Sequence, residues 1–314
     1  MSLAERFCVL ASHFSPLRWQ TQKQWLMVRR LCANQKVTSV YKLHIDEYFA
    51  RSDDQFALYP SDPEGNDQQH CHEFDELVLV ERGHGLHVLN GKPCYIQQGD
   101  VFYVHAGDRH CYDELGSLKL TNVLINKQKK FHFLSNIDPL LHNLCPATAQ
   151  QPCWLLPEQR EGCLQLAQQL TAISQECDPI AQAQQEALFL QLIVTIMRSA
   201  HTLSRGHTHY KLYQLIAWLQ ENCFDEIDWE TAGQAFLLTR RTIHRQMKEM
   251  TGMTPESFLR RLRLVAAREK LRTSDASITD IAFLCGFASS NHFATCYKQL
   301  FGRSPSQERQ RSVA

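Results

Sequence analysis

The feature that most constrains this chain is a repeat in its C-terminal third. Displaced by 50 residues, the chain matches itself. Ala232 meets Ala282, Thr239 meets Ser289, Ile243 meets Phe293, Lys248 meets Lys298, Gly252 meets Gly302, Thr254 meets Ser304 and Pro255 meets Pro305. A period of this length points to one supersecondary unit used twice. Each copy reads as a short helix, a tight turn, a cap residue and a second helix closed by Gly and Pro. In the first, Asp228 or Trp229 opens helix one, Leu237-Leu238 fills the turn and Thr239 caps a helix over 240–251. In the second, Ser277 or Thr279 opens helix one, Gly286-Phe287 makes the turn and Ser289 caps a helix over 291–301. Ser and Thr hydroxyls accept hydrogen bonds from the free amides of a first turn. Two helices on a short turn form a helix-turn-helix unit, whose second helix can enter the DNA major groove. The units are set at 229–250 and 277–300. An amphipathic helix over 255–273 spaces them, and readers one DNA turn apart need about 34 Å between them.

Charge supports a nucleic-acid partner once it is divided. Over 314 residues, 33 Lys+Arg balance 33 Asp+Glu, a formal net charge of zero. Residues 1–210 carry 18 basic and 22 acidic residues, a net −4, while residues 211–314 carry 15 and 11, a net +4. Within 240–272 the count is 10 against 3, a net +7. A global zero hides two regions of opposite sign. In the second helix of the first unit, Ile243 and Met247 point inward. Arg241, His244, Arg245 and Lys248 recur at i, i+3, i+4 and i+7 on the opposite face, with Arg240 beside them. Arginine can bind guanine O6/N7 bidentately and lysine can neutralise phosphate. The second unit offers Ser289, Asn291, His292, Thr295 and Lys298, a less basic set. Arg261 and Lys270, on the spacer, read as phosphate contacts or surface charges.

The acidic part holds 13 of the 15 His. Residues 41–135 carry short apolar alternations, such as 77–80, 86–89, 94–96, 101–104 and 118–125, with an Asn90-Gly91 hairpin turn. Close strand spacing without intervening helices predicts a β-sandwich or small barrel. Residues 157–203 switch to helical period, with stripes at Leu164, Leu166, Ala167 and Leu170, then Leu188, Leu192, Ile196 and Leu203, and Gln182, Gln184, Gln185 and Gln191 on polar faces. Two such helices can be core against the strands, or core plus an antiparallel dimer seam. Residues 1–40 read as a helical extension and 204–210 as a linker. The division is 1–40, 41–203, 204–210 and 211–311, and the fold class is α+β: an N-terminal cupin-like β-barrel with a helical dimerisation segment, then an all-α domain with two helix-turn-helix units.

The 12 Cys form no C-x-x-C pair, and several lie in apolar helical patterns, which favours reduced thiols over a disulfide framework. The N-terminus has no basic region followed by a long apolar stretch. The most apolar run, 188–197, is about half the ~20 residues of a membrane span. A soluble, cytoplasmic chain without membrane contact is expected.

Residues 211–311 resemble the DNA-binding domain of the AraC/XylS family, through TRRTIHRQMKEMTGMTPESFLRRLRL (239–264) and SITDIAFLCGFASSNHFATCYKQLFGRSP (277–305). The resemblance implies a transcription regulator, usually an activator. It places Asp280 where relatives touch the sigma subunit of RNA polymerase; a first-turn carboxylate favoured by the helix dipole is the plain alternative.

In the acidic part, His70, His72, Glu76 and Gly83 have the spacing H-x-H-x₃-E-x₆-G, and Gly99 is followed by His105, Gly107 and His110. These spacings are similar to the two cupin motifs, whose metal-binding members use three His and one Glu, here His70, His72, Glu76 and His110. Imidazoles and a carboxylate suit Fe, Mn, Ni or Zn. The match departs from the motif: His105 replaces its proline and Glu114 its Asn. An organic effector pocket of His70, His72, Glu76, His105 and His110, without metal or other cofactor, is the reading adopted. Within the family, 42–49, 70–80, 83–93 and 99–110 resemble the activators of L-rhamnose operons, and one of that paralogous pair more than the other. Rhamnose as effector is implied by that resemblance alone. A sugar-processing cupin enzyme with a fused DNA-binding tail, and a DNA binder without effector, are the rival readings.

Overall fold

The computed structural model describes residues 41–61, 69–114, 117–144, 153–173, 178–200 and 208–311. The expected extension over 1–40, Leu203 of the expected second stripe and most of the expected linker lie outside them.

Among the described residues, ten strands form two five-stranded sheets. Sheet one runs β1 (Tyr41–Leu43), β3 (His70–His72), β8 (His110–Glu114), β5 (His84–Leu89), β6 (Lys92–Gln97). Sheet two runs β10 (Cys153–Trp154), β7 (Asp100–Val104), β4 (Asp75–Arg82), β9 (Lys119–Ile125), β2 (Phe56–Ser61). All pairs are antiparallel except β1 with β3. Among the described residues no ladder joins the two sheets, which form an open sandwich and not the closed barrel expected. Short end strands explain this in part: β1 has three residues and β10 two, too few to carry a ladder around a corner. Asn90 and Gly91 take φ of 50° and 80° between β5 and β6, the paired positive angles of the predicted hairpin turn.

Three apolar layers follow. Between the sheets lie Val78, Val80, Leu89, Ile96, Phe102, Val104, Tyr112, Leu118 and Leu120. Outside sheet two, Leu77, Leu79, Val101, Tyr103 and Val123 pack under α3 (Pro157–Ala172) and α4 (Pro179–Ala200), which follow the short helices α1 (Ile45–Tyr48) and α2 (Asp138–His142). Burial on both faces makes residues 77–80 an unbroken apolar run. The helices thus take the core role, with Cys163, Ala167 and Leu170 buried on α3. On α4 Leu192 and Ile196 are buried as predicted, together with Phe189 and Ile193, while Leu188 is only partly buried. Gln185 and Glu186 are buried rather than solvated. Glu186 accepts the backbone amides of His132, Phe133 and Leu134 at 2.6, 2.8 and 2.7 Å, which fastens the loop before α2. The third layer joins the outer face of sheet one to the C-terminal helices.

Those helices are α5 (Thr208–Glu221), α6 (Trp229–Ala235), α7 (Arg240–Thr251), α8 (Pro255–Thr273), α9 (Ile278–Leu284), α10 (Ser290–Phe301) and α11 (Pro305–Arg311). The side chains of Asp228, Thr239, Ser277 and Ser289 accept first-turn amides of α6, α7, α9 and α10, which settles both open choices of cap. Gly252 and Gly302 end the second helices at φ of 71° and 70°. The repeat is not gapless, however. Leu238 bonds to the Gly233 carbonyl at 2.8 Å and Phe287 to the Ala282 carbonyl at 3.0 Å, and Leu237 and Gly286 share the left-handed turn conformation at φ of 55° and 78°. The first helices therefore correspond at 49 residues and the second helices at 50, so Gly233, not Ala232, is the partner of Ala282. One residue is added in the second copy between the turn and Ser289. A Cβ on Gly233 would meet the Leu238 carbonyl oxygen at 2.6 Å, so the close turn in the first copy needs glycine there. The spacer α8 is continuous over 19 residues, roughly 28 Å long at 1.5 Å per residue.

Candidate effector site and nucleic-acid interface

Strand alternation builds the first site. In β8, His110 and Tyr112 face the sandwich interior while Cys111 and Asp113 face out. Opposite them in β5, His87 and Leu89 face in while Leu86 and Val88 face out. β3 pairs with β8 at His70–His110, which brings His70 and His72 to the same inner face. β4 of the opposite sheet supplies Glu76. His70, His72, Glu76 and His110 are all buried, at 5%, 1%, 4% and 1% exposure.

The Nε2 atoms of His72 and His110 lie 3.8 and 4.0 Å from Glu76 Oε2, and the His70 and His110 rings are 4.3 Å apart. His72 Nδ1 donates to the Phe74 carbonyl, which only accepts, so this ring keeps its lone pair on Nε2. The Nε2 atoms of His72 and His110 are buried without a hydrogen-bond partner. On its other side, His110 Nδ1 lies 3.1 Å from His87 Nε2, and His87 stacks between Phe102 and Tyr112. Burial pushes His72 down to about 4, His87 to about 3 and His110 well below its ordinary value. These three rings are neutral at neutral pH. Uncharged imidazole nitrogen beside a carboxyl, cut off from water, calls for a ligand hydroxyl or a cation. The donor atoms of His72, Glu76 and His110 lie within 4.8 Å of one another and suit a first-row divalent ion.

His105 is not part of this group. It lies beyond the end of β7, exposed, with its ring 5.2 Å from Tyr103. There it lines a separate cavity of about 630 Å³ with Asp75, Lys127, Asp138 and His142. The spacing of the second motif gave no sign that His105 and His110 would part. His87 was missed at the sequence level. Its only signal was a histidine at an inward position of a strand that pairs with His110's strand.

The second site lies on α7 and α10. Ile243 and Met247 are buried, and Arg240, Arg241, Arg245 and Lys248 are exposed, as the spacing predicted. His244 is half-buried, with Nε2 3.4 Å from Glu256 of α8. On α10, Phe293 and Tyr297 are buried, and Ser289, Asn291, His292, Thr295 and Lys298 are exposed. Three of these are partly engaged within the chain: the Ser289 hydroxyl caps α10, His292 Nε2 lies 3.3 Å from Cys296 Sγ, and the Thr295 hydroxyl donates to the Asn291 carbonyl at 3.0 Å. Asp280 sits in the first turn of α9, where its amide donates to Ser277 Oγ at 3.0 Å. Arg261 departs from expectation. Its guanidinium forms a fork with Asp113 of β8 at 2.9 and 3.0 Å, with side chains only 18% and 12% exposed, so it is neither a free surface charge nor open to phosphate in this arrangement. Lys270 lies 6.0 Å over the Phe224 ring. All eight described cysteines are free, and among the described residues no helix is long and apolar enough to cross a membrane.

Two family models match the chain: an AraC-like ligand binding domain over 56–193 and a helix-turn-helix domain over 233–311. The HTH-type transcriptional activator RhaS of Escherichia fergusonii is 40% identical over 269 residues, covering 86% of this chain and 97% of that one. The chain belongs to the AraC family of helix-turn-helix transcription regulators. RhaS of Citrobacter koseri is 39% identical over 270 residues, covering 85% and 96%. Among solved structures, the DNA-binding domain of AdpA in complex with a target DNA is 31% identical over 32% of this chain and 91% of that one, with a TM-score of 0.31. ToxT from Vibrio cholerae is 11% identical over 82% and 98%, with a TM-score of 0.32. As an AraC-family chain the protein is a DNA-binding regulator, and the enzyme alternative raised by its histidines falls.

Proposed function

We propose that this AraC-family chain activates transcription in response to L-rhamnose, and that it is the paralogue of RhaS and not a RhaS itself. The observation that carries the effector reading is the enclosed His70–His72–Glu76–His110 cluster, inside the domain that matches the ligand-binding model. A sugar supplies several hydroxyl donors, and His72 Nε2 and Glu76 are acceptors facing one another across 3.8 Å. The His110 ring can either donate or accept at Nε2, according to which way the proton lies between it and His87. Rhamnose is supported by the RhaS relatives near 40% identity.

In this reading two chains pair through the helical layer of α3 and α4, and α7 and α10 enter successive major grooves. Arg241 and Arg245 contact bases in the first unit, with Ser289, Asn291 and His292 in the second. Asp280 on α9 meets the sigma subunit. The protein works in the cytoplasm on double-stranded DNA and needs no cofactor besides the sugar. A cation at His72, Glu76 and His110 is the second reading, favoured by the convergence of three donor atoms.

Titration of the full chain with L-rhamnose, read by thermal stability and by affinity for DNA from upstream of its own operon, tests the proposal. The sugar reading expects both to change, and no change in either overturns it. Metal analysis of the purified protein separates the two readings: a stoichiometric ion whose removal lowers the melting temperature would establish the second.

A further inference from the structure

The outer face of sheet one is not open to solvent. Leu86, Val88, Tyr95 and Cys111 share one apolar core with Leu212, Leu215 and Leu219 of α5 and with Phe258 and Leu262 of α8. Polar contacts cross the same seam. The Tyr95 hydroxyl donates to the Met250 carbonyl at 2.8 Å, and the Tyr213 hydroxyl donates to Asp100 at 3.0 Å. An ion pair across it joins Asp113 to Arg261, in the two-pronged geometry already described.

The placement of that pair is specific. Asp113 stands on β8 three residues after His110, and adjacent side chains of a strand point to opposite faces. One five-residue strand therefore carries a wall of the histidine cluster on its inner face and the anchor of α8 on its outer face. α8 in turn is the helix that joins the two helix-turn-helix units. A guanidinium–carboxylate fork constrains position and angle together, because both N–H···O bonds must be kept. At this low exposure, water screens it little.

We infer that β8 is the transmission element of the regulator. Contact of an effector with His110 alters the pose of the strand, and the Asp113–Arg261 fork passes that change to α8 and so to the relative setting of the two DNA-reading helices. This rests on the reading of the histidine cluster as the effector site. A ligand shifts such an equilibrium only by its differential affinity for the two poses, so the fork must differ between them. The neighbouring contacts on β5 and β6 hold the domains together. The fork is a charged tie between the helix that joins the readers and the strand that bears His110, set beside the apolar packing of Cys111.

Hydrogen exchange in the full chain, with and without L-rhamnose, tests this without knowledge of the operator. In the wild type, the sugar is expected to change exchange rates several-fold both at β3 and β8 and at α8. In Asp113→Asn and in Arg261→Gln, the change at β3 and β8 should persist while the change at α8 disappears. The exchanged pair, Asp113→Arg with Arg261→Asp, should restore it and guards against simple misfolding. Transmission to α8 in either single variant, at the wild-type magnitude, overturns the inference and leaves the effector reading standing. Absence of any change at β3 and β8 in the wild type overturns the effector reading, and the inference with it.

Discussion

His110 Nδ1 lies 3.1 Å from His87 Nε2, with both rings buried between the two sheets. One proton is shared between two neutral imidazoles, and its position decides whether His110 presents a donor or an acceptor to the cluster. His87→Phe keeps the stacking on Phe102 and Tyr112 but removes the partner. L-rhamnose affinity should fall about tenfold, equal to about 1.4 kcal/mol, the worth of one buried hydrogen bond. Isothermal titration checks this, and unchanged affinity would remove His87 from the site.

Acid should loosen the sandwich. His72 and His87 have folded values near 4 and 3, depressed by burial from an ordinary 6.5. A depressed imidazole contributes stability that is present above about 6.5 and is lost as pH falls toward the folded values. The melting temperature should therefore drop between about pH 6.5 and pH 4. His72→Gln should flatten part of that slope, and an unaltered slope would count against a neutral buried His72.

Asp100 acts in the opposite sense. Burial raises its carboxyl from 3.8 to about 8, although the Gln97 amide and the Tyr213 hydroxyl donate to it. A raised value means stability that is fully present below the unfolded value and is lost as pH climbs from about 4 to about 8. Docking of α5 on sheet one should weaken over that window, and Asp100→Asn should abolish the dependence. Exchange protection of α5 across pH reads it, and identical pH profiles in both proteins would refute it.

The two turns of the repeat make a paired test. Leu237 holds a left-handed φ of 55° while 76% exposed, so Leu237→Gly loses little packing and should stabilise by about 0.5–1 kcal/mol. Gly286 holds the same conformation, but a Cβ there would meet the Phe224 carbonyl oxygen at 2.6 Å. Gly286→Ala should destabilise by at least about 1 kcal/mol. Chemical denaturation of both variants decides, and the same sign in both would contradict the turn correspondence.

Arg241→Ala should cost about 1–3 kcal/mol and relax specificity at one base pair, as expected for an arginine that reads a base. Equal losses on specific and random DNA would make it a phosphate contact.

Much of this was legible in residue spacing. The caps Thr239 and Ser289, the inward Ile243 and Met247 and the Asn90-Gly91 turn obey local rules, and local rules act within a few residues. His70, His72, Glu76 and His110 were found by motif spacing, and strand pairing then brought them together. The misses were long-range. His105 left the group because it falls past the end of β7. Leu188 gave way to Phe189 because the angle at which α4 meets sheet two is a packing property. Arg261 reads in sequence as a phosphate contact or surface charge, because its partner Asp113 lies 148 residues away on another domain. The gap in the repeat was hidden because Ala232 and Ala282 align by identity, while hydrogen bonding pairs Gly233 with Ala282.

The most direct measurement is nitrogen NMR of the imidazoles in the full chain as L-rhamnose is added. The account predicts saturable shifts at Nε2 of His72 and His110, with His105 unmoved. Shifts confined to His105, with His72 and His110 unchanged, would contradict it and move the effector to the cavity beside Asp75.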